Sequence, residues 1–252
     1  MTPVFFALAL LAAISPAGST AGAAGGPSYS SHLMVDQEVM VSSRITGIIE
    51  TISVDRGSPV VKGQPLATLD QREAVSEVRQ AKEDMELRRA EFERQKTLSG
   101  LNLGSVADLD TARARHAVAS AAFDKARTLR DYTVIRAPFK GVVTDKLARV
   151  GQKVVDIQNQ PLFKVTALEP LLARIYVPDR DLAGLKRGDS VEVVAANAPS
   201  VRASARVEYI SPTVDAGSAT VEVIVRVGRN PAPAMFRPGV AVEVRLPASR
   251  RP

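Results

Sequence analysis

Residues 71–130 read QREAVSEVRQAKEDMELRRAEFERQKTLSGLNLGSVADLDTARARHAVASAAFDKARTLR. Neither Gly nor Pro occurs between Gln71 and Ser99, or again between Ser105 and Tyr132, so both runs lack the residues that break helices. Between them Gly100-Leu101-Asn102-Leu103-Gly104 is a cluster of turn formers, with glycines placed to end one helix and re-aim the chain. In the first run Ala74, Val78, Ala81, Met85, Arg88, Phe92, Gln95 and Ser99 alternate four and three apart, a heptad seam. Ser105, Leu109, Ala112, His116, Ala119, Phe123, Ala126 and Arg130 do the same in the second. Folded antiparallel about the turn, with paired positions summing to 204, Phe92 faces Ala112, Met85 faces Ala119, Arg88 faces His116, Phe123 faces Ala81 and Val78 faces Ala126. Large meets small at successive levels, which is how facing layers interdigitate. The remaining surface is charged, with Asp84/Arg88, Glu86/Arg89, Glu91/Arg94 and Glu93/Lys96 at helical spacing. A helix of an ordinary bundle carries a wider apolar stripe. The pattern predicts a free-standing hairpin with arms of about 40 Å, at 1.5 Å per residue.

On either side of the hairpin the same strand-like phrase occurs. Gly47-Ile48-Ile49 returns as Gly141-Val142-Val143, Gly57 as Gly151, and Val60-Val61 as Val154-Val155, all at one offset. Gln64-Pro65-Leu66 returns as Gln160-Pro161-Leu162 after a two-residue insertion. Such a repeat implies two half-motifs, each unable to bury its apolar face alone, packed into one β-sandwich. Downstream, 171–177, 190–195, 201–210, 219–227 and 240–246 read as strands, and 32–38 offers a sixth. Asp179 is placed to cap a short helix opening at Pro178-Asp179-Arg180.

At the other end, Phe5 to Ile14 is an apolar run followed by small residues, the grammar of a signal peptide and too short to span a bilayer. No Lys or Arg precedes Arg44, so the usual cationic start is missing. Export is the expectation. The net charge of +6 and pI near 9.8 come from intermixed acidic and basic residues without an aromatic-rich basic face, which argues for solvated surface rather than nucleic-acid binding. Absence of cysteine excludes disulfides, thiolate metal sites and a lipid-modified cysteine. With two histidines, no nucleophile–base spacing and no phosphate-loop or dinucleotide glycines, no enzyme and no cofactor is expected. His32, Met34 and Met40 fit one strand face, but a scatter near the terminus does not make a metal site.

The two halves, with Ala137-Pro138-Phe139-Lys140-Gly141 opening the second, resemble the lipoyl/biotinyl carrier fold. A carrier places its modified lysine on the turn between halves; here that turn is replaced by the hairpin, and Lys146, in Asp145-Lys146, lies inside the second half and reads as surface. A split lipoyl domain with an inserted helical hairpin resembles the periplasmic adaptors, or membrane fusion proteins, of tripartite efflux pumps. This resemblance covers roughly residues 33–246, including the Arg237-Pro238-Gly239 turn. It implies a mainly β fold with an inserted α-helical coiled-coil hairpin, a split lipoyl-like β-sandwich and a β-barrel domain. The expected division is 1–24 signal peptide, 25–38 linker and first barrel strand, 39–70 lipoyl-like half 1, 71–130 hairpin, 131–168 lipoyl-like half 2, 169–247 barrel and 248–252 tail. The membrane-proximal domain carried by adaptors of resistance–nodulation–division pumps is expected to be absent or vestigial.

The resemblance further implies a ring of copies, such as a hexamer, bridging a proton-driven inner-membrane efflux transporter to a TolC-type outer-membrane channel. Alternatives are the adaptor of an ATP-binding cassette exporter or secretion system, or a biotin/lipoate carrier-like protein. Arg94, Leu98 and Ser105 match the family's Arg-x3-Leu-x6-Ser channel-binding motif at the hairpin tip. Arg94 and Leu98 lie one turn apart on one helix face, a planar donor fork beside an apolar knob. Ser105, followed by Asp108, also reads as an N-cap box, and Arg94 as a partner of Glu91. Gln158 and Asn159, in the longer loop of the second half, match the position of a pore-lining loop, although a polar turn explains them as well.

Overall fold

The computed structural model describes residues 26–156, 160–182, 184–228 and 235–247. The signal-like segment, Gln158 and Asn159 and the 248–252 tail lie outside the described residues. Among the described residues, no helix is long and apolar enough to cross a membrane.

The chain enters through strand β1 (Ser28–Val35), part of a barrel, and turns into β2 (Glu38–Ser42). The first half of the repeat supplies β3 (Gly47–Ile52), β4 (Pro59–Val60) and β5 (Pro65–Leu69). After the hairpin come β6 (Val134–Arg136), β7 (Gly141–Lys146), β8 (Lys153–Val154) and β9 (Pro161–Thr166). They form two four-stranded sheets, ordered β2-β9-β7-β4 and β6-β5-β3-β8.

Each half lends its shortest strand to the other half's sheet. Gly47 pairs with Val154, and its repeat mate Gly141 pairs with Val60. The loops exchange in the same way: Gly57 donates its N–H to the Val143 carbonyl at 2.7 Å, and Gly151 donates to Ile49 at 2.8 Å. Both glycines have positive φ, 88° and 81°, where a side chain would be strained. Neither half closes its hydrogen bonds alone, so the repeat folds as one unit. Between the sheets Ile49, Leu66, Val143, Leu162, Phe163 and Val165 are fully buried, each stabilising by about 1.5–3 kcal/mol relative to exposure. Lys146 pairs with Asp55, and Arg56 with Asp145 at 3.5 Å, so ion pairs tie the halves together from outside.

The hairpin prolongs a pair of adjacent strands. Thr68 of β5 pairs with Val134 of β6, and between them rise α1 (Arg72–Gly100) and α2 (Val106–Tyr132). At the base Asp70 accepts the Arg72 N–H at 3.1 Å and grips its guanidinium, while the Leu69 N–H donates to the buried Thr133 carbonyl at 2.8 Å. The Arg44 guanidinium stacks 5.3 Å over the Tyr132 ring, bracing α2 against the sandwich.

The α1 residues shielded from solvent include the whole expected seam, Ala74 through Ser99, yet none is fully buried. Opposite them, Ala112, Ala119 and Ala126 are buried. Phe92 stacks on His116, ring centres 5.8 Å apart and planes within 4°. That contact fits the expected register because helical side chains lean toward their own N-terminus. In an antiparallel pair, Phe92 leans away from the tip and His116 toward it, so they meet between levels. Arg88 pairs with Asp84 at 3.3 Å along its own helix, as their spacing predicts. Glu86 takes Lys82 at 3.5 Å rather than Arg89.

Beyond the sandwich run β10 (Leu171–Pro178), β11 (Ser190–Ala195), β12 (Ala198–Asp215), β13 (Thr220–Val227) and β14 (Ala241–Arg245). With β1 they close a barrel in the order β1-β10-β13-β12-β11-β14, leaving no free edge. The sixth strand is therefore Ser28–Val35 rather than 32–38, and Glu38 opens the sandwich strand β2. β12 outruns the expected 201–210 because bulges between Val207 and Tyr209 and between Ile210 and Val214 let it bend and continue. Asp179 does not cap a helix: it lies inside a single 3₁₀ turn, Asp179–Asp181, whose first flanking residue is Pro178. His32 and Met34 face outward from the barrel while Met40 stands on the sandwich, so the three share no strand face.

Candidate functional site: the hairpin tip

Helix α1 ends in a Schellman motif. The Leu103 N–H donates to the Leu98 carbonyl at 2.8 Å, and the Asn102 N–H to Ser99 at 3.0 Å. The left-handed residue that this motif requires is Asn102, at φ 58°, not one of the two glycines. Gly104 serves a different need. A Cβ there would stand 3.2 Å from the Leu98 Cβ and 3.1 Å from the Ser99 nitrogen, so its missing side chain lets the loop lie on the last turn of α1. Helix α2 then starts from the Ser105 carbonyl, which accepts the Leu109 N–H at 3.1 Å.

This loop fixes the three motif residues. Arg94 is two-thirds exposed and ion-paired with Glu91, which also accepts a bond from the Gln95 amide at 3.1 Å. Leu98 is half-buried under Gly104. Ser105 holds the extended N-cap conformation, φ −78° and ψ 139°, but its hydroxyl makes no capping bond. The expected N-cap box is therefore not formed, and the exposed hydroxyl is left facing solvent. Arg94 and Leu98 sit one turn apart on α1, and Ser105 stands across the loop from them.

Three tip residues escaped the sequence reading. Leu101, Leu103 and Val106 are exposed at 63%, 72% and 69%. The signal was there, since three apolar residues in and beside a tight polar turn have no core to serve. Together with Leu98 they make an apolar crown ending an otherwise charged arm, and the Arg94 guanidinium stands below it. Such a surface offers desolvation at its centre and donors at its rim.

Pairs tying Thr46 to Asp156, at 3.1 Å, hold the base of the loop that carries Gln158 and Asn159. Among the described residues, no three His, Cys, Asp or Glu side chains gather as a metal site.

A split sandwich with a hairpin between its halves, followed by a closed barrel, is a specific arrangement, and sequence comparison recognises both parts. The pattern of the CzcB-like, barrel-sandwich hybrid domain matches residues 37–167, and that of the CusB-like, beta-barrel domain matches 173–250. The chain belongs to the membrane fusion protein, or periplasmic adaptor, family. The adaptor is similar to the macrolide export protein MacA of Escherichia coli O157:H7, at 27% identity over 206 residues, covering 70% of this chain and 56% of MacA. It is also similar to the cation efflux system protein CzcB of Alcaligenes sp. strain CT14, at 28% identity over 229 residues, covering 83% of this chain and 42% of CzcB. The adaptor thus spans about half the length of the curated relatives it matches. Its fold matches that of a MacA–MexA chimera carrying the Pseudomonas aeruginosa MexA α-hairpin, with a TM-score of 0.74 at 21% identity, covering 89% of this chain and 82% of the chimera. These relatives are adaptor proteins of efflux pumps, a family of non-enzymatic structural linkers.

Proposed function

We propose that this adaptor works in the periplasm as a ring of copies, bridging an inner-membrane efflux transporter to a TolC-type outer-membrane channel through the hairpin tips. The observation that carries the reading is the apolar crown of Leu98, Leu101, Leu103 and Val106 above Arg94, held at the far end of the arm by the Asn102 turn. The channel offers grooves between helices; leucines suit the groove, and Arg94 suits carboxylates or carbonyls at its rim. Each tip is a small contact, so several copies acting together supply the affinity. The CusB-like barrel supports a proton-driven resistance–nodulation–division transporter as the inner-membrane partner. Gln158 and Asn159 face the channel axis in this reading and narrow the pore. Names of relatives speak of macrolides, cations and solvents, so the exported compound is read from none of them.

The test is efflux in cells carrying Arg94→Asp or Leu98→Asp at equal expression. Both variants lose export, since Leu98→Asp places a charge where an apolar contact must be desolvated, at several kcal/mol. Ser105→Ala, whose hydroxyl caps nothing, reports on the hydroxyl alone. Full efflux by both aspartate variants contradicts tip docking.

A further inference from the structure

The barrel and the sandwich meet at a cleft of about 560 Å³. That is within the range of small-molecule sites, roughly 300–1,000 Å³. One wall belongs to the sandwich, at Lys140, Gly141 and Val142, and the facing wall to the barrel, at Phe236, Arg237 and Pro238. Leu168, in the crossing segment between the two bodies, is 43% exposed beside it. Phe236 belongs to the barrel core, so that wall is rigid.

The charges complete the description. Lys140 reaches the cleft from one body and Arg237 from the other, with Glu169 at the margin. Among the described residues, none of these three side chains has a hydrogen-bond or ion-pair partner, in a protein whose surface charges are widely paired. Two unpaired cations lining one apolar cleft repel, and a single anion between them relieves that repulsion. With Glu169 counted, the cleft carries an excess of one positive charge, which favours a monoanion and disfavours a cation.

We propose that this cleft binds an amphipathic monoanion, its apolar body between Leu168, Val142 and Pro238 and its headgroup between Lys140 and Arg237. Because the headgroup takes one ligand from each body, occupancy ties the barrel to the sandwich. The site is separate from the hairpin tip and stands whether or not the tip docks on a channel.

The experiment is calorimetric titration of the purified chain with sodium decanesulfonate, below its micellar concentration, against decyltrimethylammonium as the matched cation. One equivalent of decanesulfonate binds, and the cation binds at least ten-fold more weakly. Lys140→Glu and Arg237→Glu, both exposed and unpaired, each weaken decanesulfonate binding ten-fold or more while circular dichroism stays unchanged. Leu168→Asp does the same from the apolar side. Equal affinity for the two amphiphiles, no saturable binding, or binding indifferent to both charge reversals overturns the proposal.

Discussion

The sandwich and the hairpin are made from neighbouring stretches of one chain, and opposite forces hold them. In the sandwich, side chains such as Leu66 and Phe163 are removed from water completely, and backbone bonds cross reciprocally between the repeats. In the hairpin, α1 buries no residue fully, and ion pairs line its flanks. Exposed pairs contribute under about 1 kcal/mol each, so the arm depends on its seam and on the sandwich beneath it. The difference separates two tasks. A rigid base fixes the direction of the arm, and a thin, charged arm stays soluble while carrying an apolar crown to its far end.

If that contrast is right, substitutions of equal size have unequal costs in the two regions. Leu66→Ala should destabilise by about 2–5 kcal/mol, through lost burial and the cavity left behind, measured by urea unfolding. A cost below 1 kcal/mol would break the comparison on the sandwich side.

The two repeats themselves differ at their equivalent glycines. A Cβ on Gly141 would stand 2.4 Å from the Thr166 carbonyl oxygen, a backbone atom fixed in its sheet. On Gly47 it would meet the Leu69 Cδ1 at 3.1 Å, the end of a flexible side chain. Gly141→Ala should cost about 2–3 kcal/mol and Gly47→Ala about 1 kcal/mol, in line with overpacking costs. Thermal melts showing the reverse order would refute the close approach of Gly141 to the Thr166 carbonyl.

On the arm, Leu87→Ala removes a side chain that is 61% exposed. Its effect should stay within about 0.5 kcal/mol, and a larger loss would mean that the arm's flank packs on something. The smallest effect is at the arm's base. The hydrogen bond from Arg72 holds the Asp70 carboxyl down to about 2, below its ordinary 3.8. A lowered carboxylate contributes stability that is complete above its ordinary value and lost as pH falls through the folded one. Protection of the Arg72 amide, its exchange measured relative to the intrinsic rate at each pH, should therefore fall between about pH 4 and pH 2, and Asp70→Asn should abolish that dependence.

Much of this was legible because it is periodic. The α1 seam can be read from four-three spacing, since a helix repeats its faces regularly. The glycine phrase revealed two halves because both need the same left-handed turn, at Gly57 and Gly151. The exchange of β4 and β8 was not legible, for a two-residue strand looks the same whichever half it pairs with. At the tip the roles of Asn102 and Gly104 were hidden. One supplies a positive φ and the other a close approach, and composition alone does not distinguish them. Ser105 illustrates the same limit: it has the spacing and the backbone of a cap without the bond. The ends of β12 were missed because bulges let a strand continue past the point where its alternation fails.

The central claim is that the crown, not the flank, meets the outer-membrane channel. Leu103, 72% exposed at the tip, and Leu87, 61% exposed at mid-arm, are matched in chemistry and exposure. A photo-crosslinking amino acid placed at each in turn, in cells expressing the channel, compares them directly. The account predicts capture of the channel from position 103 and none from position 87. Equal capture from both positions, or capture from 87 alone, would contradict it.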